Sequence, residues 1–320
     1  MAPSYSGVWK LQTKYQYSSA FPIDLNLAPR ALIAGLAVNS NVIDFVVLSS
    51  AGMDARDFGD LSVARGQMGA SSSSTRSVFG GGYSLSDSEL DTMDYVTIAS
   101  TGNATDFGNL TDGRNGVAAC GNATRGVWAG GEGTANPSDI MDYITIASTG
   151  DSTDFGNLSV SRKTYGGAAA STTRGVWLGG QGSNSGTVYD TIDYITIGST
   201  GNATDFGNLS ATSRHGSACS SNTRAVHHTA LLGGSTVNTL EYITIGSTGN
   251  STDFGDLYVA FGTGSTSNST KGIFFGGSGG SDNIHQITIA STGNSTDFGN
   301  LTSSSVEDAV GTSGEHGGLS

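Results

Sequence analysis

Hydrophobic and polar residues alternate in short segments along most of this chain. Residues 192–197, Ile-Asp-Tyr-Ile-Thr-Ile, are the clearest case, and five similar segments occur at 43–48, 93–98, 141–146, 240–245 and 285–289. Short segments of alternating β-branched and aromatic residues, bounded by Gly- and Ser-rich stretches, are typical of β-strands. The pattern therefore predicts six related strands.

Three further segments accompany each of these strands. In the unit around residues 166–209, a strand of very small residues at 166–171 precedes an apolar strand at 174–180 that ends in two glycines. A Ser-Thr-Gly-Asn turn follows the alternating strand, and Asp205-Phe206-Gly207 then begins the last one. Each unit is thus expected to form four strands.

The Asp-Phe-Gly triplet occurs six times at nearly constant spacing. Its Asp residues are separated by 49, 48, 51, 48 and 44 residues, and they are Asp57, Asp106, Asp154, Asp205, Asp253 and Asp297. A repeat of about 45–50 residues made of short strands indicates a repeated β architecture. Six four-stranded units predict an all-β fold, a six-bladed β-propeller over residues 29–320.

The order of these segments resembles the kelch repeat: an apolar strand ending in Gly-Gly, a variable loop, a Tyr-bearing strand, an aromatic strand, and an Arg before a small-residue strand. Phe of Asp-Phe-Gly stands where kelch repeats usually have Trp. The resemblance implies that the small-residue strand is innermost and the Asp-Phe-Gly strand outermost. It also implies that residues 30–61 supply three strands of one blade and residues 306–311 its innermost strand, which closes the ring and protects its edges.

Asp-Phe-Gly also occurs in the metal site of protein kinases, but the other kinase motifs are missing here. Six copies favour a structural role in which Asp accepts hydrogen bonds from turn amides, Phe packs between blades and Gly permits a tight backbone. Each Asp is also expected to face the Arg of its own unit, as in Asp106 with Arg125 and Asp154 with Arg174.

Composition excludes several classes of function. A net charge of −13 is incompatible with non-specific binding to nucleic acid. No apolar run approaches the length of a membrane span, and the first residues do not resemble a secretion signal. No nucleophile elbow, zinc-protease motif or phosphate loop is present, so the sequence predicts no enzyme activity, cofactor or metal.

Both cysteines are expected to be free. Cys120 and Cys219 each precede the Arg of their own repeat by five residues, so they occupy the same position in repeats that are not neighbours. A disulfide requires Cα atoms within about 7 Å. The sequence therefore predicts buried, unpaired thiols.

The loops between the second and third strands of each unit differ most, and variable loops on a rigid scaffold commonly carry binding. These loops are 82–92, 132–139, 181–191 and 235–239. The candidate binding residues within them are Tyr83, Asp87, Glu89, Asp91, Glu132, Asp139, Asn184 and Tyr189. The pair His227-His228 lies in an expanded unit and is expected to form a surface bulge rather than a metal site.

Residues 1–28 lie outside the repeat and are rich in aromatic side chains. Those expected to dock on another protein or subunit are Trp9, Tyr15, Tyr17 and Phe21. So much apolar surface is expected to be covered by a partner rather than left in solvent. We expect this segment to act as an assembly arm.

The near-identical units, such as Asp-Phe-Gly-Asn-Leu preceded by Ser-Thr-Gly-Asn, and the Gly-Val-Trp-Lys-Leu-Gln segment at 7–12 resemble tail and fibre proteins of marine and cyanobacterial phages. This resemblance implies a non-enzymatic virion protein, made in the reducing host cytoplasm and present in several copies per particle. Its expected partners are other virion proteins, through residues 1–28, and a host surface glycan or protein. A free-standing glycan- or protein-binding propeller and a propeller-based hydrolase or oxidase are the alternatives.

Overall fold

The computed structural model describes residues 29–36, 40–86, 88–183, 187–232, 235–258, 263–277, 281–303, 306 and 309–319. Within them, 26 strands form six four-stranded sheets and one two-stranded sheet. The sheets are antiparallel and follow one another around a central axis, so the chain is a six-bladed β-propeller, as predicted. Among these residues no helix has the length and apolar character needed to cross a bilayer.

The strands of each blade are as follows. Blade 1 contains β1 (Arg30–Ala34), β2 (Val42–Val47), β3 (Arg56–Asp60) and β26 (Val310–Ser313); blade 2 contains β4 (Gly69–Ser72), β5 (Arg76–Gly80), β8 (Thr92–Thr97) and β9 (Thr105–Asn109). Blade 3 contains β10 (Ala118–Gly121), β11 (Arg125–Ala129), β12 (Ile140–Thr145) and β13 (Thr153–Asn157); blade 4 contains β14 (Ala168–Ala170), β15 (Arg174–Gln181), β16 (Val188–Thr196) and β17 (Thr204–Asn208). Blade 5 contains β18 (Ser217–Ser220), β19 (Arg224–Leu232), β20 (Ser235–Thr244) and β21 (Thr252–Asp256); blade 6 contains β22 (Thr263–Ser267), β23 (Lys271–Gly276), β24 (Asn283–Thr288) and β25 (Thr296–Asn300). A hairpin of β6 (Tyr83–Ser84) and β7 (Ser88–Glu89) projects from blade 2.

The two ends of the repeat region close the ring in blade 1. Strand β26 pairs antiparallel with β1, with Ala31 opposite Ser313 and Ala34 opposite Val310, and the sheet order is β26-β1-β2-β3. The Ser72 hydroxyl of blade 2 donates to the Ser313 carbonyl at 2.8 Å, so β26 is also joined to the next blade. The predicted ring closure is confirmed, but the closing strand is Val310–Ser313 rather than the predicted residues 306–311.

The innermost strands carry small residues because six of them converge on the axis. Ala70, Ala119, Ala168 and Ala218 occupy the same register position in four blades, opposite the bulky position of the second strand. In blade 3 that bulky residue is Trp128, whose indole Nε1 donates to the Gly69 carbonyl of blade 2 at 3.1 Å. A Cβ on Gly69 would lie 2.7 Å from the Trp128 ring, so no larger residue fits there.

Both cysteines lie on innermost strands and are free and buried, as predicted. Cys120 belongs to β10 and Cys219 to β18, and β14 separates them. Burial raises the pKa of both thiols, in the case of Cys219 to about 12. Neither thiol is therefore ionised at neutral pH.

The Phe of each Asp-Phe-Gly triplet packs between blades, as predicted. Phe107 of blade 2 shares an apolar cluster with Trp128 and Ile144 of blade 3. Its ring meets the Tyr95 ring edge-on, with the centroids 6.0 Å apart. The Tyr95 contact lies within blade 2, but the apolar cluster spans two sheets, so Phe107 also fastens blade 2 to blade 3.

The turn of each blade also pairs with the outermost strand of the blade before it. In blade 4, Gly201 N donates to Phe155 O and Ala203 N donates to Asn157 O, both at 2.8 Å, while Asn157 N donates to the Asn202 side chain at 3.1 Å. Equivalent bonds occur at all six junctions in the described chain. They cover the free edge of each outer strand and so protect it from pairing with other chains.

Two predictions about the charged residues of the repeat are wrong. Within the described residues no turn amide donates to the Asp of Asp-Phe-Gly, and Asp154 is exposed; instead, the Asn202 side chain of the next blade's turn accepts from the outer-strand amide of Asn157 at 3.1 Å. Nor does Asp106 pair with Arg125. The Arg125 guanidinium instead lies 4.3 Å above the Tyr143 ring and donates to the Ile197 carbonyl of the next blade at 2.9 Å.

Candidate functional site

The loops that join second to third strands, together with the segments that lead into each innermost strand, form one face of the ring, here called the variable face. Blade 2 contributes the β6–β7 hairpin, in which Tyr83 lies opposite Glu89. At its tip Leu85 is 64 % exposed, which is unusual for so apolar a side chain in the described chain. The predicted binding residue Asp87, also in this loop, lies outside the described residues, as does Asn184.

Two of the predicted binding residues are brought together by a polar network that spans three blades. Asn115 exchanges backbone hydrogen bonds with Glu132 at 2.9 and 2.8 Å, and its side chain donates to Glu89 at 3.3 Å. Glu132 also forms an ion pair with Lys163 of blade 4, and Lys163 exchanges backbone bonds with Gln181. Burial lowers the pKa of the Lys163 ammonium, and the nearby Glu89 carboxylate opposes that shift. Loops of blades 2, 3 and 4 therefore form one continuous surface.

The remaining described candidates lie on the same face but outside this network. Asp91 is exposed and Asp139 is half-buried, and each uses its backbone carbonyl to accept from Leu110 N and Leu158 N respectively. Tyr189 is half-buried and lies opposite Gly180 in the sheet of blade 4. Their role in binding stays a prediction. The arm residues Trp9, Tyr15, Tyr17 and Phe21 lie outside the described residues.

A second set of residues, not expected from the sequence, surrounds the axis on the variable face. Four described blades place a residue with positive φ three positions before the innermost alanine: Gln67 at 57°, Gly116 at 65°, Tyr165 at 48° and His215 at 54°. We call this set the axial ring. Left-handed backbone is natural for glycine but uncommon for other residues, above all bulky ones.

The axial ring is joined by backbone bonds and by one ring contact. Gly116 N donates to Gln67 O, and Tyr165 N donates to Gly116 O, both at 2.9 Å. The Tyr165 and His215 rings stack with centroids 3.9 Å apart and planes at 29°. Gln67, Tyr165 and His215 are partly exposed and line a small depression together with Thr263 and Ala309.

One signal in the sequence marks the axial ring. Aligning the units on Ala70, Ala119, Ala168 and Ala218 places Gln, Gly, Tyr and His at the same position, three residues earlier. A position that varies this much between otherwise similar repeats is a candidate for function. The sequence pattern could reveal the variation, but not that these side chains meet at the axis.

His227 and His228 are buried, so the prediction of a surface bulge is wrong. They continue the second strand of blade 5, where His227 takes the place of Trp128 in blade 3, and both are at most 1 % exposed. Their Nε2 and Nδ1 atoms contact Ser213 Oγ at 3.1 Å and Thr263 Oγ1 at 2.8 Å respectively. Burial lowers the pKa of His227 to about 3 and that of His228 to about 4, so both rings are neutral.

Ser213 and His227 are residue types that form a nucleophile and its general base in many enzymes. Both residues are only 1 % exposed. The contact is therefore one of packing.

Among the described residues, no three His, Cys, Asp or Glu side chains converge as metal ligands would. No protein-family model and no curated protein matches this chain.

Proposed function

We propose that this chain is a non-enzymatic recognition propeller, carried on a bacteriophage particle as a tail fibre or tail-associated adhesin. Its variable face binds a host surface glycan or protein, and residues 1–28 attach it to other virion proteins. In this proposal the repeated contacts hold the ring together and the unrepeated loops bind. The kelch-like order of the strands is compatible with this role but does not specify a partner.

The observation that carries the proposal is the joining of three blades through Glu89, Asn115, Glu132 and Lys163. These contacts make the loops of three blades one rigid surface. A rigid surface favours binding because its side chains and loops lose less conformational entropy on association. The surface is polar and mixed in charge, with an exposed Leu85 beside it. Such a composition suits recognition in water better than a permanent apolar interface.

The phage setting is supported by the resemblance of the repeats and of residues 7–12 to phage tail and fibre proteins. Placement on the virion, several copies per particle and synthesis in the host cytoplasm follow from that setting. Two unpaired, buried cysteines are compatible with synthesis in a reducing compartment.

Recognition is tested by labelling the full chain and measuring its binding to a panel of marine bacterial and cyanobacterial cells. Replacing loops 82–92 and 181–191 with Gly-Ser linkers of equal length should abolish binding. The matched control is Ser199→Ala with Thr200→Ala, two exposed residues of a turn on the opposite face, which should leave binding unchanged. Unchanged binding in the loop variant would show that a surface other than the variable face recognises the cells.

Attachment to the particle is tested separately by deleting residues 1–28. The shortened chain should fold but no longer be incorporated into particles. A smaller change, Trp9→Ser with Tyr15→Ser, should weaken incorporation in the same direction. If the shortened chain were incorporated normally, or if the full chain were a monomer with no assembly partner, the virion role would be wrong.

A further inference from the structure

Five blades carry the same stacked pair of side chains where the second strand begins. In each of them an Arg lies over an aromatic ring of the third strand, with the guanidinium carbon 4.2 to 4.7 Å from the ring centroid. The pairs are Arg30–Phe45, Arg76–Tyr95, Arg125–Tyr143, Arg174–Tyr194 and Arg224–Tyr242. A flat ring beneath a flat cation therefore covers this part of each of these blades.

Blade 6 replaces both members of this pair. The register of its sheet places Lys271 at the Arg position and Gln286 at the aromatic position. Without a ring on the third strand, the Lys271 ammonium lies 4.8 Å from the Phe298 ring centroid on the outermost strand and donates to the Ser50 carbonyl of blade 1 at 2.8 Å. The surface that the stacked pair covers in the other blades is left open.

An open groove of about 270 Å³ lies at this place, on the face of the ring opposite the variable face. Its wall includes Lys271, Gln286, Thr288, Ser291, Asn294 and Thr296. Sites for drug-sized ligands measure about 300–1,000 Å³, so this groove is suited to a smaller molecule, about the size of one sugar ring.

The positive charge in the groove has capacity for a further partner. An ammonium group has three N–H donors, and the Ser50 carbonyl engages one of those on Lys271. Within the described chain Lys271 forms no ion pair. The Asp297 carboxylate lies on the other side of the sheet, because Asp297 pairs with His285 and successive residues of a strand face opposite sides. Burial lowers the pKa of the Lys271 ammonium, so a bound anion would stabilise its charged form.

The remaining wall groups are neutral and polar. Gln286 donates its side-chain N–H to the Asp297 carbonyl at 3.1 Å, which leaves its side-chain oxygen as an acceptor. Asn294 accepts the Asp256 amide at 3.0 Å through its side-chain oxygen, which leaves its NH2 group as a donor. Exposed hydroxyls are added by Thr288, Ser291 and Thr296. A ligand with one negative charge and several hydroxyls matches this wall.

We propose that the groove of blade 6 binds an acidic sugar, such as a uronic acid. The Lys271 ammonium holds the carboxylate, while the Gln286 and Asn294 amides and the wall hydroxyls bind the hydroxyls of the sugar ring. A neutral sugar lacks the charge that attracts the ammonium, and a simple carboxylate such as acetate lacks the hydroxyls, so both should bind more weakly. This site lies on the face opposite the loops to which recognition is assigned, so it does not depend on that role.

The test is the double variant Lys271→Arg with Gln286→Tyr, which rebuilds in blade 6 the stacked pair of the other blades. The pair fills the groove with side chains that four other blades already accommodate, so the variant should keep a Tm within about 2 °C of the parent or above it. Lys271→Gln is the second variant, because it removes the charge but leaves the groove open.

Binding is measured by saturation-transfer NMR and titration with the methyl glycosides of glucuronic and galacturonic acid, each up to about 10 mM, a range that detects millimolar affinity. Methyl glucoside and acetate are the ligand controls. At least one uronide should bind the parent, and each variant should weaken it about tenfold or more. Ser247→Ala with Thr248→Ala, exposed residues of the equivalent turn in blade 5, is the matched control and should not change binding.

Absence of binding by both uronides to the parent would refute the site. Equal binding of methyl glucoside would also refute it, since the ammonium would then contribute nothing, and so would unchanged uronide binding in the double variant. The variant with loops 82–92 and 181–191 replaced keeps blade 6 intact, so it should bind uronides like the parent even when it no longer binds cells. Loss of uronide binding in that variant would place the site on the variable face and overturn the groove of blade 6.

Discussion

Arg65 Nη1 lies 2.9 Å from Asp94 Oδ2, and neither side chain is exposed to solvent. Ser62, which follows the outermost strand of blade 1, donates its hydroxyl to the same carboxylate at 2.7 Å. The Asp94 carboxylate of blade 2 therefore binds two residues from the connection between blades. One is Arg65, in the segment that leads into blade 2, and the other is Ser62, just after the last strand of blade 1. Buried ion pairs recur at the equivalent places in blades 3 and 4, as Arg114–Asp142 and Arg162–Asp193.

Replacing Asp94 with Ala should destabilise the propeller by about 3–5 kcal/mol, because a buried guanidinium loses its counter-charge. The measurement is unfolding in guanidinium chloride followed by circular dichroism. Asp106→Ala is the control, since Asp106 lies opposite Asp94 in the sheet but is exposed, and it should cost no more than about 0.5 kcal/mol. Similar losses for both variants would contradict a special role for the buried pair.

The buried histidines of blade 5 should make the fold sensitive to acid. The pKa of His227 is lowered to about 3 and that of His228 to about 4, while each unfolded imidazole has a pKa near 6.5. Below pH 6.5 the unfolded chain takes up protons that the folded chain does not, so stability falls as the pH falls. Between pH 7.5 and pH 5, each imidazole should cost about 2 kcal/mol.

The double variant His227→Phe, His228→Leu tests this prediction. Phe is the residue at the position of His227 in blade 2, as Phe79, and Leu is the residue at the position of His228 in blade 4, as Leu178. In this variant, the fall in unfolding free energy from pH 7.5 to pH 5 should be about 4 kcal/mol smaller than in the parent protein. Burial also lowers the pKa values of His285 and His316, so some acid sensitivity should remain. An unchanged pH dependence would mean that His227 and His228 are protonated equally in both states.

The glycine of Asp-Phe-Gly should not tolerate a side chain. Gly156 has a φ of 139°, and an added Cβ would lie 2.5 Å from the Gly201 carbonyl oxygen of the next blade. Gly156→Ala should therefore lower the unfolding free energy by about 1–3 kcal/mol, through backbone strain and separation of the two blades. Gly198→Ala in the nearby turn meets no atom within 4 Å and should change stability by less than about 0.5 kcal/mol. Equal effects in urea unfolding would exclude the clash as the cause.

Periodicity predicts those features that every blade repeats. The six four-stranded units and the Phe between blades follow from a pattern that occurs six times. The inner position of the small-residue strands and the closure of the ring by both ends were implied by the resemblance of that pattern to the kelch repeat. Contacts between neighbouring blades are harder to predict, because the partner lies on another strand and depends on register. Asp94 and Asp106 illustrate this: they are opposite each other across a β-bulge, yet only Asp94 is buried against Arg65.

The candidate site was predicted in part. Loop divergence identified Glu89 and Glu132, which the structure joins through Asn115. The axial ring was missed because nothing local in the sequence shows that Gln67, Tyr165 and His215 approach a common axis. That proximity arises only when the blades close into a ring, and left-handed backbone leaves no sequence mark when the residue is not glycine.

Ring closure itself can be tested at the C-terminal side of the chain, where two neighbouring segments have different roles. Strand β26 completes the sheet of blade 1. The residues after it, 314–319, cross the inner strands on the face opposite the variable face, where His316 Nε2 donates to Ser72 O at 2.9 Å and Gly317 N donates to Ser220 O at 3.1 Å. Since Gly318 N donates to His316 Nδ1, the imidazole is held in its neutral form.

Deleting residues 302–320 should lower Tm by about 10 °C or more, equivalent to about 3–5 kcal/mol, because β1 loses its partner and blades 1 and 6 no longer enclose a common core. Deleting only 314–320 keeps β26 in its sheet and should have a much smaller effect. Thiol labelling supplies a second measurement: Cys120 and Cys219 are buried on inner strands, with raised pKa values that slow their reaction. Both thiols should react with Ellman's reagent slowly in the parent and in the shorter deletion, but rapidly once β26 is removed and the ring opens. If the longer deletion kept the parent's Tm and slow labelling, β26 would be an accessory strand and the remaining strands would hold the ring without it.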